Sequence, residues 1–173
     1  MADDPTALAA RLARLEAVAA IEAVKHRYFR ACDAKDPLAF RSCFVATGSV
    51  LDYGELGRTD ADGMAAVFER IALERDPGDG RHVVLDMHHG VHPDIQVVDD
   101  DHATGAWTLR FRQVDLAQGT ERVLSGEYAD EYRREDGVWK IASCVFRAQW
   151  SITRPLGTDV VVHEVADAQP KSA

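Results

Sequence analysis

The chain has 173 residues, 46% of them hydrophobic, which is enough for one domain with a buried core and too few for two ordinary domains. Its formal charge of -9, from 29 acidic against 20 basic residues, argues against nucleic acid and anionic membrane surfaces as partners, since both are bound through clustered Lys and Arg. Cys32, Cys43 and Cys144 are odd in number and lack CxxC spacing, the N-terminus is acidic, and no apolar run reaches the roughly 18 residues of a membrane span, so the expected location is the cytoplasm.

From Pro5 the pattern is helical. Asp4 precedes a proline at a first-turn position, and Leu8, Leu12, Leu15, Val18, Ile21, Val24 and Tyr28 follow at steps of three and four. The Ala-rich first part, through residues 1–14, is expected as a helical extension that could pack on a partner subunit, whereas Ile21 onward belongs to the domain itself. A short second helix is expected from Leu38 to about Phe44, with Asp36 as cap and Pro37 in its first position. A short strand follows at Ser49 to Tyr53, and a third helix runs from about Asp60 or Ala61 to Glu74.

Past the Asp76, Pro77, Gly78 and Gly80 break, four segments rich in β-branched and aromatic residues predict strands: 81–98, 103–116, 121–134 and 138–152. Turn residues join them, namely Asp99 to Asp101, Gln118 with Gly119, and Asp136 with Gly137. Helices followed by an antiparallel meander give an α+β domain in which one sheet face is covered, and a curved sheet around a helix leaves a concave interior suited to a ligand. The VVVHEV run in the tail over 158–173 is expected to add an edge strand before a disordered end.

Tyr28 and Asp33 lie about 140° apart on a helix, so a helix break near Cys32 would let both reach one cavity. Asp33 could orient an imidazole there, or merely terminate the helix or meet Lys35. In MHHGVHPDI, strand alternation puts His88 and His92 on one face and His89 on the other, so one histidine is expected to face the interior. The same histidines with Asp33 or Asp94 also fit a metal site, and any one of them could be an imidazole without a task. Arg110 and Arg112 fall on the face opposite Trp107, Leu109 and Phe111, and are expected to be solvated. In the last strand Arg147 lies opposite Cys144 and Phe146 unless a bulge intervenes, where it could stabilise an oxyanion or form a surface ion pair.

Three segments in order, IEAVKHRYFRACDAKD, HHGVHPDI and SGEYADEYRREDGVWKI, resemble the SnoaL-like branch of the nuclear transport factor 2-like superfamily over residues 15–157. The nearest enzyme types are bile acid 7α-dehydratases, scytalone dehydratase and hexachlorocyclohexane dehydrochlorinase. The resemblance implies a cone-shaped, cystatin-like α+β fold in which an Asp-assisted His removes a proton from carbon. Asp33 matches the family aspartate, His88 the histidine, and Tyr28 the tyrosine of the bile acid dehydratases. This chain departs from the pattern at His92, where the family often has Asn, and at Cys144, where many relatives have an Arg that Arg147 is then expected to replace.

On that resemblance the chain is expected to be a lyase or isomerase of a mostly apolar carbonyl compound, such as a steroid, terpenoid, polyketide or aromatic fragment. His88 would be the general base, Asp33 its orienting partner and Tyr28 a hydrogen-bond donor, with no metal or organic cofactor required. The alternative is a non-catalytic small-molecule-binding or oligomerisation domain, such as a dioxygenase companion subunit, because this fold serves those ends as well. A homodimer is expected from the amphipathic N-terminal helix and from Leu109, Phe111 and Trp150, placed on the outer sheet face.

Overall fold

A computed structural model of the protein describes residues 4–164. Helix α1 spans Pro5–Asp33, with the Asp4 carboxylate accepting the Thr6 N–H at 3.2 Å and Pro5 in the first turn. Its apolar stripe has two environments. Leu8, Leu12 and Leu15 are exposed, whereas Ile21, Val24, Tyr28 and Phe29 are buried. Helix α2, Pro37–Ser42, is capped by Asp36, whose side chain accepts the Ala39 N–H at 2.9 Å. Helix α3, Ala61–Ala72, is capped in the same way by Asp60 on Gly63 at 2.8 Å.

Six strands form one sheet in the order β2-β1-β6-β5-β4-β3. Strands β3 (Val84–Val97), β4 (His102–Asp115), β5 (Thr120–Glu135) and β6 (Val138–Pro155) make the antiparallel meander. Strand β1 (Val50–Asp52) lies parallel to β6 and is paired with β2 (Arg58–Thr59), a two-residue strand reached through a 3-10 turn at Gly54–Leu56. The tight turn before β6 requires positive φ at Asp136 and Gly137, 51° and 77°.

Three helices cover one face of this α+β sheet, and the core lies between them. Ala103, Trp107, Leu109, Leu124, Tyr128, Tyr132, Ile141 and Cys144 project from the sheet into it. Leu109 and Phe111 therefore face inward, contrary to the expectation that they help form the outer face: Leu109 is 3% exposed and Phe111 packs against the core. Trp150 is exposed. Bulges bend the sheet where the register slips between Val91 and Asp94, Ser125 and Gly126, and Glu131 and Tyr132.

The tail differs from expectation as well. Over residues 156–164 it forms no edge strand but is tied back across the sheet end, where His82 donates its backbone N–H to Glu164 at 2.9 Å and Arg81 reaches the Val162 carbonyl at 3.3 Å. Residues 1–3 of the expected extension and 165–173 of the tail, with its expected disordered end, lie outside the described residues. No helix among those described is long and apolar enough to cross a membrane.

Candidate active site

Between the helices and the concave sheet face lies a cavity of about 630 Å³, within the size range of small-molecule sites. Its wall is mostly apolar, from Phe40, Met64, Phe68, Leu109, Phe111 and Leu124, with Tyr28, Tyr53 and His88 as inward polar groups.

Asp33 and His88 meet at this wall. The His88 Nδ1 lies 2.6 Å from Asp33 Oδ1, and the His88 backbone N–H also donates to both carboxylate oxygens at 3.0 and 3.1 Å. One carboxylate thus holds the strand and the ring together. A carboxylate accepts only, so in the neutral ring Nδ1 carries the proton and Nε2 keeps its lone pair. The ring stacks near-parallel to Phe29, with centroids 6.2 Å apart, and lies 4.7 Å from Phe111, which restricts its rotation.

This meeting depends on Gly90, two residues along β3. A Cβ there would stand 2.0 Å from the Phe29 ring, so only glycine lets α1 lie close enough for Asp33 to reach the strand. Helix α1 runs unbroken to Asp33, and no break at Cys32 is needed. Instead Tyr28 turns to the cavity and Asp33 to β3.

Tyr28 donates to the Tyr53 hydroxyl at 3.1 Å, and Tyr53 donates to Cys144 Sγ at 3.4 Å. Burial pushes both phenols well above their usual range, so they remain protonated donors. Burial raises the Cys144 thiol likewise and keeps it from acting as a thiolate.

Behind Cys144 stands Lys25, which the sequence patterning passed over. It is fully buried, forms an ion pair with Asp130 at 2.7 Å, lies over the Tyr128 ring at 3.7 Å and sits 3.7 Å from Cys144 Sγ. A helix residue thus brings a buried cation to the position occupied by Cys144. The signal was its spacing, since Lys25 falls on the same stripe as Ile21, Val24 and Tyr28. Tyr53 follows a three-residue strand and gave no periodic signal.

Arg147 lies at the cavity rim and is 56% exposed, with its guanidinium forked onto Asp52 at 2.6 and 2.9 Å. That fork lowers the Asp52 carboxyl to about 2. His89 is exposed on the opposite side of β3 from His88. His92 leaves the face that alternation had given it, because the bulge before Asp94 places it at a φ of 53° and exposed. Among the described residues no three His, Cys, Asp or Glu side chains converge as metal ligands would.

The model for the SnoaL-like domain matches residues 13–145. No curated protein matches the sequence. Among solved structures, a hexachlorocyclohexane dehydrochlorinase of Novosphingobium barchaimii is similar at a TM-score of 0.72 and 19% identity, covering 89% of this chain and 99% of its own. A protein of Novosphingobium aromaticivorans, provisionally assigned as a scytalone dehydratase, has a TM-score of 0.68 at 21% identity, over 87% and 92% of the two chains. A Mycobacterium tuberculosis protein of unknown function reaches 0.64 at 20% identity, over 97% and 87%. These likenesses show a common fold, and the domain match over most of its length places this chain in the SnoaL-like family.

Proposed function

We propose that this protein is a cofactor-independent lyase or isomerase of a mostly apolar carbonyl compound, with His88 as general base. The observation that carries the proposal is the 2.6 Å contact of Asp33 with His88 Nδ1, in a ring that lines a mostly apolar cavity. Nε2 takes a proton from the carbon beside the substrate carbonyl, and Asp33 stabilises the imidazolium that results. On substrate binding Tyr28 turns its one O–H from Tyr53 to the carbonyl oxygen, where negative charge develops.

In a dehydration the C–H electron pair becomes the new C=C bond, the β C–O bond breaks, and the departing hydroxide takes the imidazolium proton to leave as water. In an isomerisation the same proton returns to a different carbon. Arg147 serves at the rim, where its pairing with Asp52 shapes the entrance. That one of the similar structures is named a hexachlorocyclohexane dehydrochlorinase agrees with elimination as the reaction class.

The test is solvent deuterium incorporation into a panel of enones and β-hydroxy ketones, followed by mass spectrometry. The wild type incorporates deuterium, and His88→Ala and Asp33→Asn lose at least about 100-fold of the rate. Unchanged incorporation in His88→Ala refutes the mechanism. Binding without exchange by the wild type leaves a small-molecule-binding domain in its place.

We further propose a homodimer in which the exposed Leu8, Leu12 and Leu15 stripe packs on a second copy.

A further inference from the structure

The cavity has a second polar feature that proton abstraction does not use. Asp86 on β3, Gln113 on β4 and Arg122 on β5 stand opposite one another in register and form one row across the concave face. The next row is His88, Phe111 and Leu124. All six residues line the cavity.

Counted with Lys35, which pairs with Asp86, the polar row carries one cation in excess. Asp86 is bound by Lys35 at 2.8 Å and by the Gln113 amide at 2.9 Å, with Lys35 and Asp86 only 6% and 9% exposed. That pair is closed and neutral. Arg122 is half-buried, lines the cavity, and among the described residues has no hydrogen-bond or ion-pair partner. A guanidinium in that position is a receptor for planar anionic oxygens, because its fork matches a carboxylate. Two residues along a strand and two strands across place Arg122 about 12 Å from His88, by ordinary sheet spacings.

We propose that Arg122 is a specificity residue that binds a carboxylate on the substrate, so that the substrate is an apolar carbonyl compound with a carboxylate about 8–12 Å from the carbon facing His88. The proposal deepens the reading of His88 as base and rests on it for the position of the reacting carbon.

Aryl ketones bearing an alkyl chain that ends in a carboxylate, graded in length and paired with their methyl esters, test it by calorimetric titration and by deuterium exchange beside the ketone. At the matching length the acid binds the wild type at least about tenfold more tightly than its ester. Arg122→Met removes that preference and leaves the ester's affinity unchanged, while Arg122→Lys keeps part of it, with far-UV circular dichroism confirming that both variants fold. Equal affinity for acid and ester, a preference that survives in Arg122→Met, or failure of every acid to bind overturns the proposal. An Arg122-dependent preference without exchange upholds this site while removing the base mechanism; exchange without the preference does the reverse.

Discussion

Replacing Asp130 by alanine strands the Lys25 ammonium in the interior. Both side chains are wholly buried and 2.7 Å apart, and the aspartate's Oδ2 is shared with the Tyr132 hydroxyl at 2.8 Å. What remains around Lys25 is the Tyr128 ring at 3.7 Å, the Tyr28 ring at 4.7 Å, the Phe29 ring at 5.3 Å and a thiol. Loss of one member of a buried pair costs about 3–5 kcal/mol, and the aromatic faces recover about 1–2 of it, so a net loss of about 1–4 kcal/mol is expected. Lys25→Met leaves Asp130 charged with only Tyr132 as donor and falls in the same range. In Lys25→Met/Asp130→Ala no charge is left buried, so the double variant is less destabilised than the sum of the singles by at least about 2 kcal/mol. Urea unfolding at fixed protein concentration, followed by tryptophan fluorescence, measures the cycle. Additive single losses would refute the claim that these two groups neutralise each other in the core.

Gly90→Ala is expected to lose about 1–3 kcal/mol, because the new methyl collides with Phe29, and to slow exchange as α1 is pushed from β3 and Asp33 withdraws from His88; unfolding and exchange measured on the same preparation check both effects. Burial raises the phenols of Tyr28, Tyr128 and Tyr132 above 10, so the fold keeps their protons where the unfolded chain loses them. Their contribution is complete below pH 10 and falls above it, by up to about 1.4 kcal/mol per pH unit for each group, and the unfolding midpoint measured from pH 8 to 11 should therefore decline only at the alkaline end. Leu12→Glu with Leu15→Glu should shift sedimentation from dimer to monomer at micromolar concentration, whereas a wild-type monomer contradicts the dimer.

Much of this molecule is legible in its sequence because its signals are local. Aspartate followed by proline marks the starts of α1 and α2, and long β-branched segments separated by turn residues mark the meander. His88 lies on the inward face because alternation holds from Asp86 to Gly90. The errors arise where a long-range contact overrides a local pattern. A bulge turns His92 out of line, and Pro93 in the strand was its one local sign. The parallel pairing of β1 with β6 spans some ninety residues and leaves no mark in either strand. Lys25 looks like an ordinary helix lysine until Asp130, a hundred residues on, comes to meet it. Arg122 acquires meaning only through the row that β3 and β4 build beside it.

Nitrogen NMR of the His88 ring in the ligand-free protein tests the central claim most directly, because a base must present an unprotonated nitrogen to the cavity. At neutral pH the expected spectrum is that of the tautomer with Nδ1 protonated toward Asp33 and Nε2 bare, with that bias lost in Asp33→Asn. A dominant Nε2–H form in the wild type would contradict it, since that ring could not accept a proton from carbon.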